Sequence, residues 1–332
     1  MREDNFQENF NAGAPHPVQS FAWGEFRKSK GVVVERFMEG KKSFTILFHN
    51  LPMTNKTIGV LTQSHMPTKK TLSTLKKLSL KNNAIFTKIE PYVYSLASDE
   101  QSLEAQRKFF LDHGLKKSKP LYPEHSFIVD LTSSDDELLK NMKSKSRYNV
   151  RLSEKKDVKI VEDSSDESFA EYLELLSETT NRQSFYAHTL SYQKKMWQFL
   201  RNHKMAYLLK ATHQGKTLSS WIVFVFNNRL YYPYGASTRR KRGLMAPYGL
   251  FWGAVQFGKK MKCDEFELWG SLGISPDKKH SWYGFHRFKS SFGGKHVTYV
   301  GSYDFILSPI LYKLYVLANK TRWLLLRVKR AF

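Results

Sequence analysis

Only one cysteine, Cys263, occurs in the 332 residues. One thiol builds neither a disulfide framework nor a cysteine-rich metal site. It precedes a strand-like stretch, where a small buried thiol is common, and it is a poor nucleophile candidate. The 11 histidines show no metal-binding spacing, so no metal is expected. Long apolar runs are also missing. The opening residues, MREDNFQENFNAGAPHPV, have no apolar core, so no signal peptide is expected, and no uninterrupted run reaches spanning length. G-x-x-x-x-G-K-[ST] and G-x-G-x-x-G are absent, which excludes phosphate-loop and dinucleotide readings. G-x-S-x-G and H-E-x-x-H are absent as well. Any chemistry then uses a nucleophile brought by the substrate, or none.

Acidic residues are scarce: 30 Asp and Glu face 53 Lys and Arg, for a net charge of +23. Such a field favours an anionic partner, whether nucleic acid, acidic lipid or a phosphorylated substrate. The length exceeds one usual domain, and 41% apolar content suffices for packed cores.

The order of elements is that of an α+β or α/β protein, and α+β is the class expected. Residues 17–31 read as a short helix marked by Phe21, Trp23 and Phe26, with Arg27 after the aromatics. Val32 to Phe37 and Ser43 to His49 alternate as strands around a turn at 39–42. Residues 57–62 form a third apolar stretch. A basic helix is expected over 69–83, with Leu72, Leu75, Leu78 and Leu80 near helical spacing. Ala84 to Ile89 is a strand running into Glu90-Pro91, where proline would present the carboxylate rigidly. A helix over 100–114 follows.

A second unit begins near Glu124. Phe127 to Leu131 is a strand, and Ser133 to Glu137 is good helix-starting chemistry. That helix then turns basic, with Lys140, Lys143, Lys145, Arg147 and Arg151 forming one cationic ridge suited to phosphates; a merely solvated face is the plainer reading. Further strands are expected at 158–162, 205–211, 218–226 and 229–234, and helices at 166–180, 191–203 and 246–261. Asn227-Asn228 is a tight turn. Tyr232 and Tyr234 would point the same way on their strand, lining a pocket or simply packing. Both halves run helix, strands, helix, strand, which suggests a duplicated fold.

The stretch 264–294 concentrates the chemistry. A short strand ends in Trp269-Gly270, a polar loop follows, and the run Phe285-His286-Arg287-Phe288-Lys289 comes next. Lys289 beside Phe288 is a candidate for steadying an oxyanion or a phosphate; an ordinary surface lysine is the alternative. In the tail, Ile310, Leu314, Leu317, Leu324 and Val328 share a helical face flanked by Lys313, Lys320 and Arg327, which suits an anionic membrane surface. Docking of this helix on the first domain is the competing expectation.

Seven stretches, in order, resemble the FemABX family of non-ribosomal peptidyltransferases: QSFAWGEFRKSKG; IEPYV; FIVDL with KSKSRYNVRLSEKKDVKI; YYPYGAS; APYGLFWGAVQFGKKMKCDEFELWG; FHRFKSSFGG; and YVGSYDF. The resemblance implies two domains of GNAT (acyl-CoA N-acyltransferase)-like fold with mixed sheets flanked by helices. They would span 1–124 and 125–300, with 301–332 returning to the first. Residues 191–203 run straight into a strand, so the compact type without a coiled-coil arm is expected. The implied activity is transfer of Gly, Ala or Ser from aminoacyl-tRNA to the third-residue amine of a muramyl pentapeptide, lipid II or UDP-linked, in peptidoglycan bridge synthesis. No cofactor is implied beyond aminoacyl-tRNA as co-substrate. The setting would be cytoplasmic, peripheral at the inner face of the membrane through 310–332.

By the same resemblance Lys289 is the functional lysine, Phe288 its aromatic neighbour, and Glu90 a candidate base. Arg27 would grip acceptor phosphates, and Tyr192, Tyr232 and Tyr234 would line the acceptor site. His188 stands where a compact member carries a second phosphate-binding arginine, and a neutral imidazole is a weaker phosphate ligand. Two other classes stay open. An acyl-CoA-dependent N-acyltransferase would need a Q/R-x-x-G-x-G/A turn, but Arg239 to Ala246 has Met245 at the last glycine. A non-enzymatic basic module binding RNA or anionic lipid is the other.

Overall fold

The computed structural model describes the backbone over 3–183 and 189–331, and side chains over 5–180 and 189–321. The chain divides into two compact units. Met1–Val93, Gln101–Tyr122 and Val300–Phe332 form the first, and Tyr94–Glu100 with Pro123–Tyr299 the second.

In the first unit the alternating segments build a six-stranded sheet in the order Val33–Glu39, Lys42–Asn50, Thr57–Ser64, Ala84–Pro91, Ser302–Ile306, Lys116–Ser118. All neighbours are antiparallel except Thr57–Ser64 with Ala84–Pro91, and the helix Lys69–Lys81 makes that parallel crossover. Thr68 starts this helix with a capping box to Thr71. Leu72 and Leu75 are buried, but Leu80 is 57% exposed. Leu80 is thus a correction to the expected apolar face, because it stands five residues after Leu75 and points off the 3.6-residue stripe. A helix at Glu3–Ala12, unread in the sequence, buries Phe10, whose ring lies edge-on to Phe21.

The late strand Ser302–Ile306 enters this sheet between two earlier ones, and an ion pair marks the junction. Lys88 and Asp304 are cross-strand partners, and Lys88 Nζ lies 2.8 Å from Asp304 Oδ1. Lys88 also donates to Ser118 Oγ, Ser302 Oγ and the Lys119 carbonyl, while Tyr312 donates to Asp304 Oδ2. Every charge in this buried group therefore has partners, the condition for tolerating it in a core.

The second unit holds an eight-stranded sheet in the order Tyr94–Leu96, Lys295–Tyr299, His125–Asp130, Glu265–Glu267, Arg229–Ser237, Lys216–Phe226, Ala206–His213, Lys159–Glu162. Again one pair is parallel, Glu265–Glu267 with Arg229–Ser237, crossed by the helix Ala246–Lys260. Both sheets are therefore mixed, and the fold class is α+β as expected. Residues 94–100, expected within 1–124, instead supply an edge strand here, paired with Lys295–Tyr299. The three-residue strands Tyr94–Leu96 and Lys116–Ser118 are too short to show alternation in sequence. Helix Ala246–Lys260 covers one sheet face through Leu250, Phe251, Ala254 and Val255. Helix Asp166–Gln183 packs on the strands from the other side: Lys210 Nζ donates to Ser168, and Thr217 to Glu171. Leu190–Asn202 leads directly into Ala206–His213, and no coiled-coil arm occurs among the described residues.

The single basic helix expected after Ser134 is two helices, Asp135–Asn141 and Ser144–Lys155. Ser134 and Glu137 form the capping box, as their spacing suggests. The break falls at buried Met142, which is extended at φ −67, ψ 147. Arg147 folds back across it and donates to the carbonyls of Leu139, Lys140 and Met142. This guanidinium is engaged in closing a helix end, and it drops out of the expected ridge.

Candidate functional site

The strand Glu265–Glu267 ends in a curl. Trp269 takes φ 63, a left-handed conformation uncommon for a bulky side chain, and Gly270 takes φ 157. A Cβ on Gly270 would lie 2.7 Å from Pro123, so only glycine passes here. The curl turns two carbonyls toward one point, and the helix Tyr283–Lys289 brings Lys289 there. Its Nζ donates to the Leu268 oxygen at 2.6 Å and the Gly270 oxygen at 2.9 Å. An ammonium has three donors; no third partner occurs among the described residues. Burial pushes this amine down to about 8, against the nearby carboxylate of Glu267, which raises it. Glu267 is buried and accepts from Tyr299 Oη at 2.7 Å.

Tyr232 forms the wall beside the amine. Lys289 Nζ lies 5.4 Å from the Tyr232 ring centroid, within cation–π range. Tyr232 stacks on Trp221 at 3.8 Å, and burial raises its phenol well above the usual value. Its hydroxyl lies where a Cβ on residue 235 would be, 2.1 Å away, so Gly235 makes room for it. Phe288 points into the core, edge-on to Trp221, Tyr248 and Phe292. It fixes the helix that carries Lys289.

Tyr232 and Tyr234 do not share a face, contrary to the alternation expected. Ile222 pairs with Tyr234 and Phe224 with Tyr231, so Tyr232 and Pro233 together oppose Val223. This bulge shifts the alternation by one residue. Tyr234 thereby stands edge-on to Phe224, on the side of Tyr231, away from Tyr232 and Trp221. Tyr192 is half-buried in the first turn of Leu190–Asn202, which Thr189 caps. His188 lies outside the described residues.

Three histidines that sequence spacing did not connect line the loop after Gly270. His296 Nε2 lies 2.9 Å from the Leu272 carbonyl and 3.2 Å from Ser271 Oγ, and His125 Nδ1 lies 2.9 Å from Thr298 Oγ1. The His286 and His125 rings stand 5.6 and 5.8 Å from that of His296. Burial lowers all three, which favours the neutral imidazole, and His296 and His286 hydrogen-bond the loop at Leu272. Cys263 is buried, and burial pushes its thiol up to about 11, far from a nucleophile's range.

Two further sequence candidates belong to the first unit. Arg27 lies in the last turn of Phe21–Lys28, half-buried. His49 is lowered mainly by burial and then by the Arg27 charge, which places the two close together. Glu90 is only 4% exposed. Its carboxylate accepts the backbone N–H groups of Leu121 at 2.5 Å and Tyr122 at 3.1 Å. Burial raises its pKa, opposed by those N–H groups, Ser302 and Lys88. Within its unit, then, the strand-end carboxylate is anchored to the chain at 121–122 and is not openly presented.

The FemAB family model matches residues 4–212 and 201–320. The lipid II:glycine glycyltransferase of Staphylococcus haemolyticus is 22% identical, over 90% of this chain and 89% of that protein. The protein of the same name from Staphylococcus aureus is likewise 22% identical, over 90% and 89%. Among solved structures, FemX superposes with a TM-score of 0.82 at 18% identity, covering 95% of this chain and 98% of that one. A tandem GNAT protein from the clavulanic acid pathway gives 0.51 at 11% identity, covering 93% and 97%. The likenesses to solved structures speak for the fold, and the family model extends over both units. The chain belongs to the FemAB family and is a transferase of that family.

Proposed function

We propose that this transferase moves an amino acid, Gly, Ala or Ser, from aminoacyl-tRNA to the third-residue side-chain amine of a muramyl pentapeptide carried by lipid II or UDP. The observation that carries the reading is the Lys289 ammonium, clamped by two carbonyls with one N–H left over. In the reaction the acceptor amine attacks the ester carbonyl carbon. A tetrahedral oxyanion forms, the bond to the tRNA 3′ oxygen breaks, and the amine's proton ends on that oxygen. Because the ester is already activated, alignment and a cation near the oxyanion suffice. We assign the oxyanion to Lys289, the wall to Tyr232, and the anchoring of residues 121–122 to Glu90. The proton passes through the substrate. The test is to mix the protein with charged tRNA and a muramyl pentapeptide and weigh the product. An added amino acid residue supports the reading, whereas mass gain only with acetyl-CoA replaces it with acyl-CoA chemistry.

Arg27 is assigned to the acceptor's phosphates, through its place at a helix end in a basic protein. Arg27→Ala is expected to raise the acceptor KM about tenfold with kcat little changed, as when ground-state and transition-state binding are lost together. A fall in kcat alone would give Arg27 another role.

The site of action is proposed to be the cytoplasmic face of the membrane. The helix Pro309–Ala331 has two apolar sides. Tyr312 and its neighbours pack against Ile85 and Phe86, whereas Ile310, Leu314 and Leu317 are 74%, 58% and 64% exposed. Exposed Lys313 and Lys320 flank them. The side chains of Leu324, Arg327 and Val328 lie outside the described residues. No described helix is long and apolar enough to cross a membrane. A lipid surface fits the exposed side, with each buried Leu or Ile contributing about 1.5–3 kcal/mol. Leu314→Asp with Leu317→Asp is expected to abolish co-sedimentation with vesicles containing phosphatidylglycerol. Undiminished binding would remove the membrane from this account.

A further inference from the structure

We infer that the helix Ser144–Lys155 is the rail along which the acceptor stem of the donor RNA lies, a surface distinct from the Lys289 centre. The inference rests on the proposed use of aminoacyl-tRNA. It begins with position. The backbone N–H of Lys143 donates to the Ser291 carbonyl at 2.9 Å, two residues beyond Lys289. The helix therefore starts beside the segment that holds the reacting centre and leads away from it.

Its two sides differ sharply. Ser146, Asn149, Val150 and Ser153 are buried, facing the unit's core. On the opposite side Lys145, Tyr148, Arg151 and Lys155 follow one another at spacings of three and four, all exposed, with Tyr148 63% exposed. From Lys145 to Lys155 the row extends about 15 Å. None of its three cations has an ion-pair partner among the described residues, in contrast to Arg201, Arg229 or Lys259 elsewhere in this unit. The only acid of the helix, Glu154, stands to the side. Arg147, which the sequence counted in this row, is engaged at the helix break and belongs to the scaffold.

A line of unpaired cations complements a line of phosphates, and a phenol among them suits a sugar hydroxyl or a phosphate oxygen. A bilayer would call for apolar side chains between the cations, and this row has only the tyrosine. The donor's 3′ end must reach Lys289, and the Lys143–Ser291 hydrogen bond sets the start of this helix beside that segment.

The test compares two donors: full-length aminoacyl-tRNA and an aminoacyl ester of the terminal dinucleotide. In Lys145→Glu, Arg151→Glu and Tyr148→Ala, the ratio of kcat/KM for the full-length donor to that for the short one is expected to fall about tenfold. Removing each cation should lower the salt slope of tRNA binding by about 1. Equal effects on both donors, or none on either, overturn the inference. So does lost binding to anionic vesicles with an unchanged donor ratio, which would make the row a membrane surface. Filter binding of uncharged tRNA separates this inference from the reading it rests on. If the wild type transfers nothing yet the variants lose tRNA, the rail stands and the reaction does not. If transfer occurs and the variants are indifferent, the rail falls alone.

Discussion

Lys289→Ala is expected to lower kcat by about 10²–10³-fold, the usual loss when one donor to a developing oxyanion is removed. Folding should survive, because water can reach the Leu268 and Gly270 carbonyls once the side chain is cut back. Lys289→Arg is not expected to rescue, since a planar fork cannot replace a compact ammonium between two carbonyls set by the Trp269–Gly270 curl. Full activity in the alanine variant would show that the site is elsewhere. The same residue predicts a pH profile. Burial lowers its pKa to about 8, so the cation, and with it kcat, should be lost as pH rises through that value. Stability moves the other way. Between about 8 and the ordinary lysine value of 10.5, the unfolded chain holds a proton that the folded one has released, so stability rises with pH in that window. Below it, the fold carries a buried charge at a cost. Retaining such a group marks a functional position more than a structural one. A kcat that stays flat up to pH 10 would count against the assignment.

The second large effect is on stability. Lys88→Met is expected to cost about 3–5 kcal/mol, because Asp304 would be left charged in the core with only hydroxyl partners. The pair is nearly closed to solvent, at 11% and 6% side-chain exposure. Replacing both, Lys88→Met with Asp304→Leu, should recover much of the loss, since an apolar pair asks for no compensation. Denaturant unfolding of the single and the double variant checks this. A single variant as stable as the wild type would mean that solvent reaches the pair. The location matters because this pair ties the late strand Ser302–Ile306 to Ala84–Pro91, joining parts of the chain more than 200 residues apart.

Much of this was legible locally. The tight turn at Asn227-Asn228 has both residues at positive φ, 45 and 56, as a two-residue hairpin demands. The Ser134–Glu137 capping box follows from spacing alone. Lys289 and Phe288 stand out as a cation in an aromatic run, and the structure separates their surroundings, the amine on the carbonyls of Leu268 and Gly270 and the ring packed in the core. Elements that depend on distant partners are not legible in this way. The strand Tyr94–Leu96 leaves no trace in the pattern because three residues carry no period. The facing of Tyr234 departs from simple alternation because a bulge is a property of two strands together.

The order of residues by itself determined the charge, the family, most strands and helices, and the stretch that carries the lysine. These rest on interactions within about four residues or on composition, which the chain records directly. Tertiary structure alone decided which cations are available and which are engaged: Arg147 closes a helix, Lys88 is locked in a core, and Arg151 is left to solvent. The reason is that desolvation and pairing depend on what other segments bring alongside. No local pattern states which those will be.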